Sequence, residues 1–495
     1  MVSLPKDRFG FEEARHLLWR AGFGGSPDQV QLLMRWGLDR AVDSLVNYED
    51  PGAGEAPAVN REIMQGMSAT ERAEYRRALQ ARDEDTLARF RLMRQQQEQA
   101  DREQMRSMQR WWIKTMIETP RPLQEKMTLF WHGHFATSYR TVENSLHMVM
   151  QNALFRRQAV GNFGELLFNI IRDPAMLKYL NNDTSRRDRP NENLARELME
   201  LFSLGEGNYT EQDIKEGARA LTGYTFRDDR FVFDRANHDT GSKRILGARG
   251  ALNGDDFVRA ILAQPACATF ICTKLFRYFV GDYPTGRTLM DRAAQNVIRA
   301  MAATLVQNRY ELRPVLSLLF KSQAFYDPAW RGEQIKSPVQ LVVGSVRALR
   351  TPARDLGVLA DAMDRMGQNV FYPPSVKGWD GGRSWINTAT LFVRQNLMVF
   401  LLTGRRPQGR DALADQERWD SSSLLAQLAD TFPGVRDGRS EAVLDAVFRF
   451  TLGRAAPAGR AEIERFLAQR SGAIDEQTTT DLMLLVTAMP EYQLC

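Results

Sequence analysis

Cysteine and histidine are scarce in this chain. Its 495 residues hold three cysteines, Cys267, Cys272 and Cys495, and five histidines, His16, His132, His134, His147 and His238. Three thiols in so long a chain exclude a disulfide framework. Without a Cys-x-x-Cys pair, a thiolate zinc site is excluded as well. Cys267 and Cys272 lie on an expected helix and read as small core residues. Long apolar runs are also missing. The richest, Leu397–Leu402, falls well short of the ~18 residues a membrane span needs. Met1–Lys6 shows no apolar stretch of the secretory type, so the expectation is a soluble, cytoplasmic protein. Nor is there an excess of one charge. The 66 basic and 61 acidic residues interleave to a net +5, which argues against a nucleic-acid interface. Phosphate-cradling glycine loops and the G-x-S-x-G turn of serine hydrolases are absent too.

What is present is helical periodicity. Residues 11–22 carry Ala14, Leu17, Leu18 and Ala21 on one face and are broken by Gly22, Gly24 and Gly25. Ser26-Pro27 then reads as the start of a second helix. Residues 70–108 are rich in Arg, Glu, Gln and Asp and poor in apolar side chains, which predicts one or two solvated helices forming an arm. Tyr224–Phe226 and Phe231–Phe233 flank a polar turn and predict a hairpin, with residues 244–250 as a further strand. Residues 366–387 hold too much Pro, Gly and Trp for a regular element. A helix over 388–403, a linker over 405–420 and about four short helices complete the chain. The expected fold is mainly α, a multi-helical globular fold with a small β-hairpin insertion near 224–250 and a long charged helical arm. A main domain over 1–404 precedes a small C-terminal helical subdomain over 421–495.

Three polar constellations stand out against this background. His132-Gly133-His134 follows the apolar run Met127–Trp131. A spacing of two places both rings on one side of an extended segment but on opposite sides of a helix. Gly133 is expected to end the helix and let the imidazoles converge on a divalent transition metal. The second constellation is the helix opened by Asn191-Glu192-Asn193. Leu194, Leu198, Leu201 and Phe202 form its buried face, and Asn193, Glu197 and Glu200 form a stripe beside it. Carboxylates at the edge of a core need an Arg or a metal, or they serve in acid–base chemistry. Glu197, Glu200 and Arg196 are the catalytic candidates, with Asn191 and Asn193 oriented to substrate. The third is the loop Asn237–Lys243, where His238 and Asp239 could complete a metal site with His132 and His134. In the Pro/Gly/Trp segment, Gln368 and Lys377 could orient a polar ligand against the flat faces of Trp379 and Trp385. The plainer alternatives are internal salt bridges, an Asx-turn and core tryptophans.

The runs F-W-H-G-H-F-A-T-S, N-E-N-L-A-R-E-L-M-E-L-F-S-L-G-E-G-N-Y-T-E-Q-D-I, A-R-A-L-T-G, H-D-T-G-S-K and P-P-S-V-K-G-W-D-G-G, with the opening E-A-R-H-L-L-W-R-A-G-F-G, resemble a large bacterial family. It is catalogued as domain of unknown function 1800. The similarity covers about residues 10–490. The resemblance implies export for many members and genes that often neighbour a sulfatase-like family. It implies no activity and no catalytic residues. Three functions follow as expectations. One is a metal-dependent enzyme of hydrolytic or oxidative type acting on a small-molecule or polymer substrate. Another is a binding or assembly protein with a sulfatase-like partner. A metal-free acid–base enzyme pairing Glu197 with His132 is a third.

Overall fold

The computed structural model describes residues 1–49, 59–281, 289–405, 419–454, 458–470 and 474–495. The expected linker over 405–420 lies almost wholly outside the described residues. Helices dominate. The N-terminal part comprises α1 (Phe11–Ala21), α2 (Pro27–Val46), α3 (Ala69–Ala81), α4 (Glu84–Glu118), α5 (Pro122–His134), α6 (Tyr139–Val142), α7 (Ser145–Arg157), α8 (Phe163–Ile170), α9 (Pro174–Tyr179), α10 (Asn193–Glu200) and α11 (Glu211–Ala220). Two small hairpins interrupt it, β1 (Tyr224–Arg227) with β2 (Arg230–Phe233), and β3 (Lys243–Ile245) with β4 (Ala248–Gly250). The middle part follows with α12 (Gly254–Leu262), α13 (Pro265–Phe279), α14 (Leu289–Gln307), α15 (Leu312–Phe320), α16 (Pro338–Leu349), α17 (Leu356–Arg365) and α18 (Thr388–Thr403). The C-terminal helices are α19 (Ser421–Thr431), α20 (Ser440–Thr451), α21 (Arg460–Gln469) and α22 (Glu476–Ala488). The fold is therefore mainly α with a small β insertion.

Local chemistry explains these boundaries. The β1–β2 turn places Asp228 and Asp229 at φ 46° and 63°, the left-handed pair that matches strand twist in a two-residue hairpin. The charged arm is a helical hairpin of α3 and the first half of α4. Ser68 caps α3 in a box with Glu71, two residues earlier than the expected start. The second half of α4 carries Met105, Met108, Trp112, Ile113 and Met116 into the core, so the arm is rooted where its composition turns apolar. Buried polar contacts bind the molecule across its length. Arg156 grips Glu125 at 2.6 and 2.9 Å, and Trp112 Nε1 donates to the same carboxylate at 2.8 Å. The C-terminal helices share the central core: Lys336 Nζ donates to the Tyr492 carbonyl at 2.7 Å, and Tyr492 Oη meets Ser345 at 2.9 Å.

One local expectation fails. The chain does not leave its helix at Gly133; α5 continues through His134. A glycine costs an α-helix about 1 kcal/mol, which tertiary packing easily outweighs. Trp379 packs over this turn, its ring 3.7 Å from where a Cβ on Gly133 would stand, an ordinary contact distance.

Candidate functional site

With α5 helical to its end, His132 and His134 leave it on opposite sides, about 200° apart. Each ties a different segment to the same helix end. His132 Nε2 accepts the backbone N–H of Phe371 at 2.9 Å, and its ring packs among Trp112, Phe371 and Trp379. His134 Nε2 donates to the Phe202 carbonyl at 2.9 Å, inside a cage of Phe130, Trp131, Phe135, Phe202 and Phe270. The two rings therefore hold opposite tautomers. Burial pushes both down to about 3, His134 further helped by the Lys274 cation, so both are neutral imidazoles. They form a bracket: one arm holds the Pro/Gly/Trp loop, the other holds the end of the α10 segment.

Gly378 completes the junction. It sits at φ +81°, and a Cβ there would overlap the Gly133 carbonyl oxygen. Only glycine satisfies both conditions. The bracket and this contact bring Lys377, which is exposed, close enough to α10 to act electrostatically on Glu197. Glu197 is half-buried. Burial raises its pKa above the usual carboxylate value, the neighbouring Glu200 raises it further, and Arg196 and Lys377 pull the other way. Glu200 accepts the Tyr209 hydroxyl at 3.0 Å. Burial and Glu200 together push that phenol up to about 12, so it stays a donor. Tyr179, at the end of α9, is also half-buried and feels the charge of Glu197. Trp379 is partly exposed beside Lys377. Pairwise links thus tie Tyr179 to Glu197, Glu197 to Glu200 and Lys377, and Glu200 to Tyr209, with Trp379 two residues beyond Lys377 in the loop.

The remaining expected residues are placed elsewhere or held in structural bonds. Arg196 is held by Glu211 at 3.0 Å and Glu192 at 3.3 Å. Asn191 accepts the Asn193 N–H at 2.9 Å and donates to the Asn181 carbonyl at 3.2 Å, which starts α10; Asn193 itself is exposed. Gln368 accepts the Val339 N–H at 3.0 Å in the first turn of α16. Trp385 is buried, and its carbonyl accepts the Thr390 hydroxyl at 3.0 Å.

The expected metal set does not assemble. His238 is anchored at Nδ1 to the Thr222 carbonyl at 2.9 Å. Asp239 receives Arg219 at 2.7 and 3.2 Å and the Gly241 N–H at 2.8 Å, a saturated carboxylate whose pKa this arginine lowers. His132 and His134 each commit Nε2 to backbone and face different layers. Among the described residues, no three His, Cys, Asp or Glu side chains are grouped to hold a metal ion. These four side chains do not fit a divalent transition metal.

Sequence reasoning reached the Glu197–Glu200 stripe but missed Tyr179, Tyr209 and the pairing with Lys377. Tyr209 lies in a segment that reads only as a helix stop and restart; nothing local marks Tyr179. Among the described residues no helix is long and apolar enough to cross a membrane. No curated protein and no solved structure matches the chain. A family model described as protein of unknown function (DUF1800) matches residues 16–494. That span takes in the His-Gly-His bracket, the α10 stripe and the loop that meets them, and the chain belongs to the DUF1800 family.

Proposed function

We propose that the protein is an acid–base enzyme of hydrolytic type that works without a metal at these residues. Glu197 is its proton-transferring group, and Lys377 and Trp379 hold a polar substrate. One observation carries the reading: a half-buried carboxyl with a raised pKa lies on a helix edge within the field of a solvent-facing lysine. A carboxyl tuned upward moves toward the range in which it both donates and accepts a proton. Lys377 supplies a mobile cation for an anionic or carbonyl oxygen. Trp379 supplies a flat apolar face. Tyr209 holds Glu200 and keeps that second carboxylate in place beside the first. His132 and His134 act as positioning residues through the loop and α10.

The test is a thermal-shift screen of small polar compounds, including chromogenic ester, glycoside and phosphoester substrates, followed by titration of the hits. Binding or turnover that falls at least about tenfold in E197Q and in K377A, a loss of about 1.4 kcal/mol, supports the reading. Hits that bind and react equally well with both variants contradict it.

A second reading, assembly with a sulfatase-like partner, draws on the α3–α4 arm. Leu79, Leu92 and Met93 stand exposed on an otherwise charged hairpin. Exposed large apolar side chains of this kind suit a protein contact. Capture of such a partner by the full chain, lost in L79E/L92E, supports it; capture unchanged in that variant counts against it.

A further inference from the structure

Far from α10 along the chain, a second constellation has no part in this account. Arg15 and His16 of α1, Arg331, Gly332, Gly453, Arg454 and Cys495 line an open recess with a cavity volume of about 30 Å³. That is room for roughly two waters, or for the head of one small ion. Arg15 forms its floor and is 6% exposed. Its Nε and Nη2 donate to the carbonyls of Phe450 and Thr451. Its Nη1 makes no hydrogen bond among the described residues and lies against Gly453, 2.6 Å from where a Cβ would stand. Gly332 likewise gives way to the Arg454 guanidinium, with 2.8 Å to such a Cβ. Both guanidiniums thus lie beside these glycines in the lining of one opening.

Further basic side chains lie buried behind the recess, where burial pushes Lys336 down to about 7. Arg20 donates to the Gln334 amide oxygen and to the Trp330 carbonyl, and Lys336 to the Tyr492 carbonyl. Lys336 Nζ also lies 4.1 Å from the ring centres of Trp19 and Tyr492. Arg394 donates to Gln493 and to the Lys336 carbonyl. None of Arg15, Arg20, Lys336 or Arg394 has a carboxylate within salt-bridge distance among the described residues. At the recess, Glu12 is the one acidic side chain in the lining, and Cys495 also acts on Arg15 as an opposing charge. Glu12 lies 3.8 Å from Arg449 and 3.9 Å from Arg331, which also holds Glu13 at 2.6 Å. Arg15, Arg20 and Arg394 are buried guanidiniums held by neutral oxygens, with Cys495 acting as an opposing charge on Arg15 and Arg20 and Glu12 on Arg15, and such groups are costly. Their field focuses into a cleft with low-dielectric walls and attracts counter-charge there.

We propose that this recess is a binding site for a small oxyanion of the phosphate or sulfate class, either free or as the terminal group of a larger ligand. Arg15 Nη1 binds it from below. Arg331 and Arg454 bind it from the walls, with guanidinium geometry suited to paired oxygens. The body of a larger ligand remains outside, because the recess holds only the head.

The experiment is isothermal titration of the full chain at fixed ionic strength, with chloride as the control ion. Inorganic phosphate and sulfate probe a free ion; methyl phosphate probes a terminal ester group. The expected result is saturable binding at one site by at least one of these, weakened about tenfold or more by R454E. Arg454 is exposed, so R454E is expected to keep the melting temperature of the unliganded protein. R436E, which changes an exposed charge elsewhere, leaves binding intact. No saturable binding, or binding that R454E leaves unchanged or that R436E weakens equally, overturns the proposal. Tighter binding of methyl phosphate than of phosphate identifies the ligand as an ester head group.

Discussion

Replacing His132 by glutamine removes one ionisable group from the bracket while keeping an acceptor for the Phe371 N–H. In the fold, burial holds the His132 imidazole down to about 3; in the unfolded chain it titrates near the ordinary value of about 6.5. The folded pKa is depressed, so the unfolded state binds more protons throughout the interval between these values. Stability from this group is present above the unfolded pKa and is lost as pH falls toward the folded one. At pH about 5 the unfolded imidazole is almost fully protonated and the folded one is not, which costs the wild type about 2 kcal/mol relative to pH about 7. A typical domain has only about 5–15 kcal/mol in hand. Urea unfolding of wild type and H132Q at both pH values isolates this residue, since every other group is common to both proteins. The wild type should lose about 2 kcal/mol more than H132Q on acidification. Equal losses would show that His132 titrates normally and would refute its burial as a neutral acceptor.

The other expectations concern the same framework. G378A forces a side chain into a left-handed backbone and against the Gly133 carbonyl. A loss of about 2–4 kcal/mol with altered Trp379 fluorescence is expected by thermal melting, and an unchanged melt would contradict the close contact. R156M leaves Glu125 buried without its cation and should cost about 3–5 kcal/mol in chemical denaturation. Asp173 is pushed up to about 7 by burial, against hydrogen bonds from the Met176 N–H and Gln151. Its folded pKa is raised, so its contribution is full below about pH 4 and is lost as pH rises toward 7. D173N should therefore remove a fall in stability between those values that the wild type shows.

Much of the architecture is legible in local chemistry. The polar turn of the hairpin and the apolar face of α10 are determined within a few residues, whereas the cap of α3 falls at Ser68, two residues before the expected start. The edge position of Glu197 and Glu200 follows from helical geometry alone, and the structure leaves both half-buried as that geometry requires. What local pattern does not carry is the reason for a residue. Gly133 looks like a helix end, yet α5 runs on through His134, and the Gly133 carbonyl is met by Gly378, some 245 positions away. A helical α5 sends His132 and His134 to opposite layers. Asp239 and Arg196 look available in sequence and are taken by arginine and glutamate partners whose proximity depends on tertiary packing. Lys377 reaches the field of Glu197 for the same non-local reason.

The central claim is that Glu197 is a carboxyl tuned by burial, by Glu200 and by Lys377. It is tested most directly by a carbon-detected NMR titration of the Glu197 carboxyl in wild type, E200Q and K377A. The wild-type group should titrate above the ordinary glutamate value. E200Q, which removes a like charge, should lower it, and K377A, which removes an opposite charge, should raise it. An ordinary titration that neither substitution moves would contradict the account.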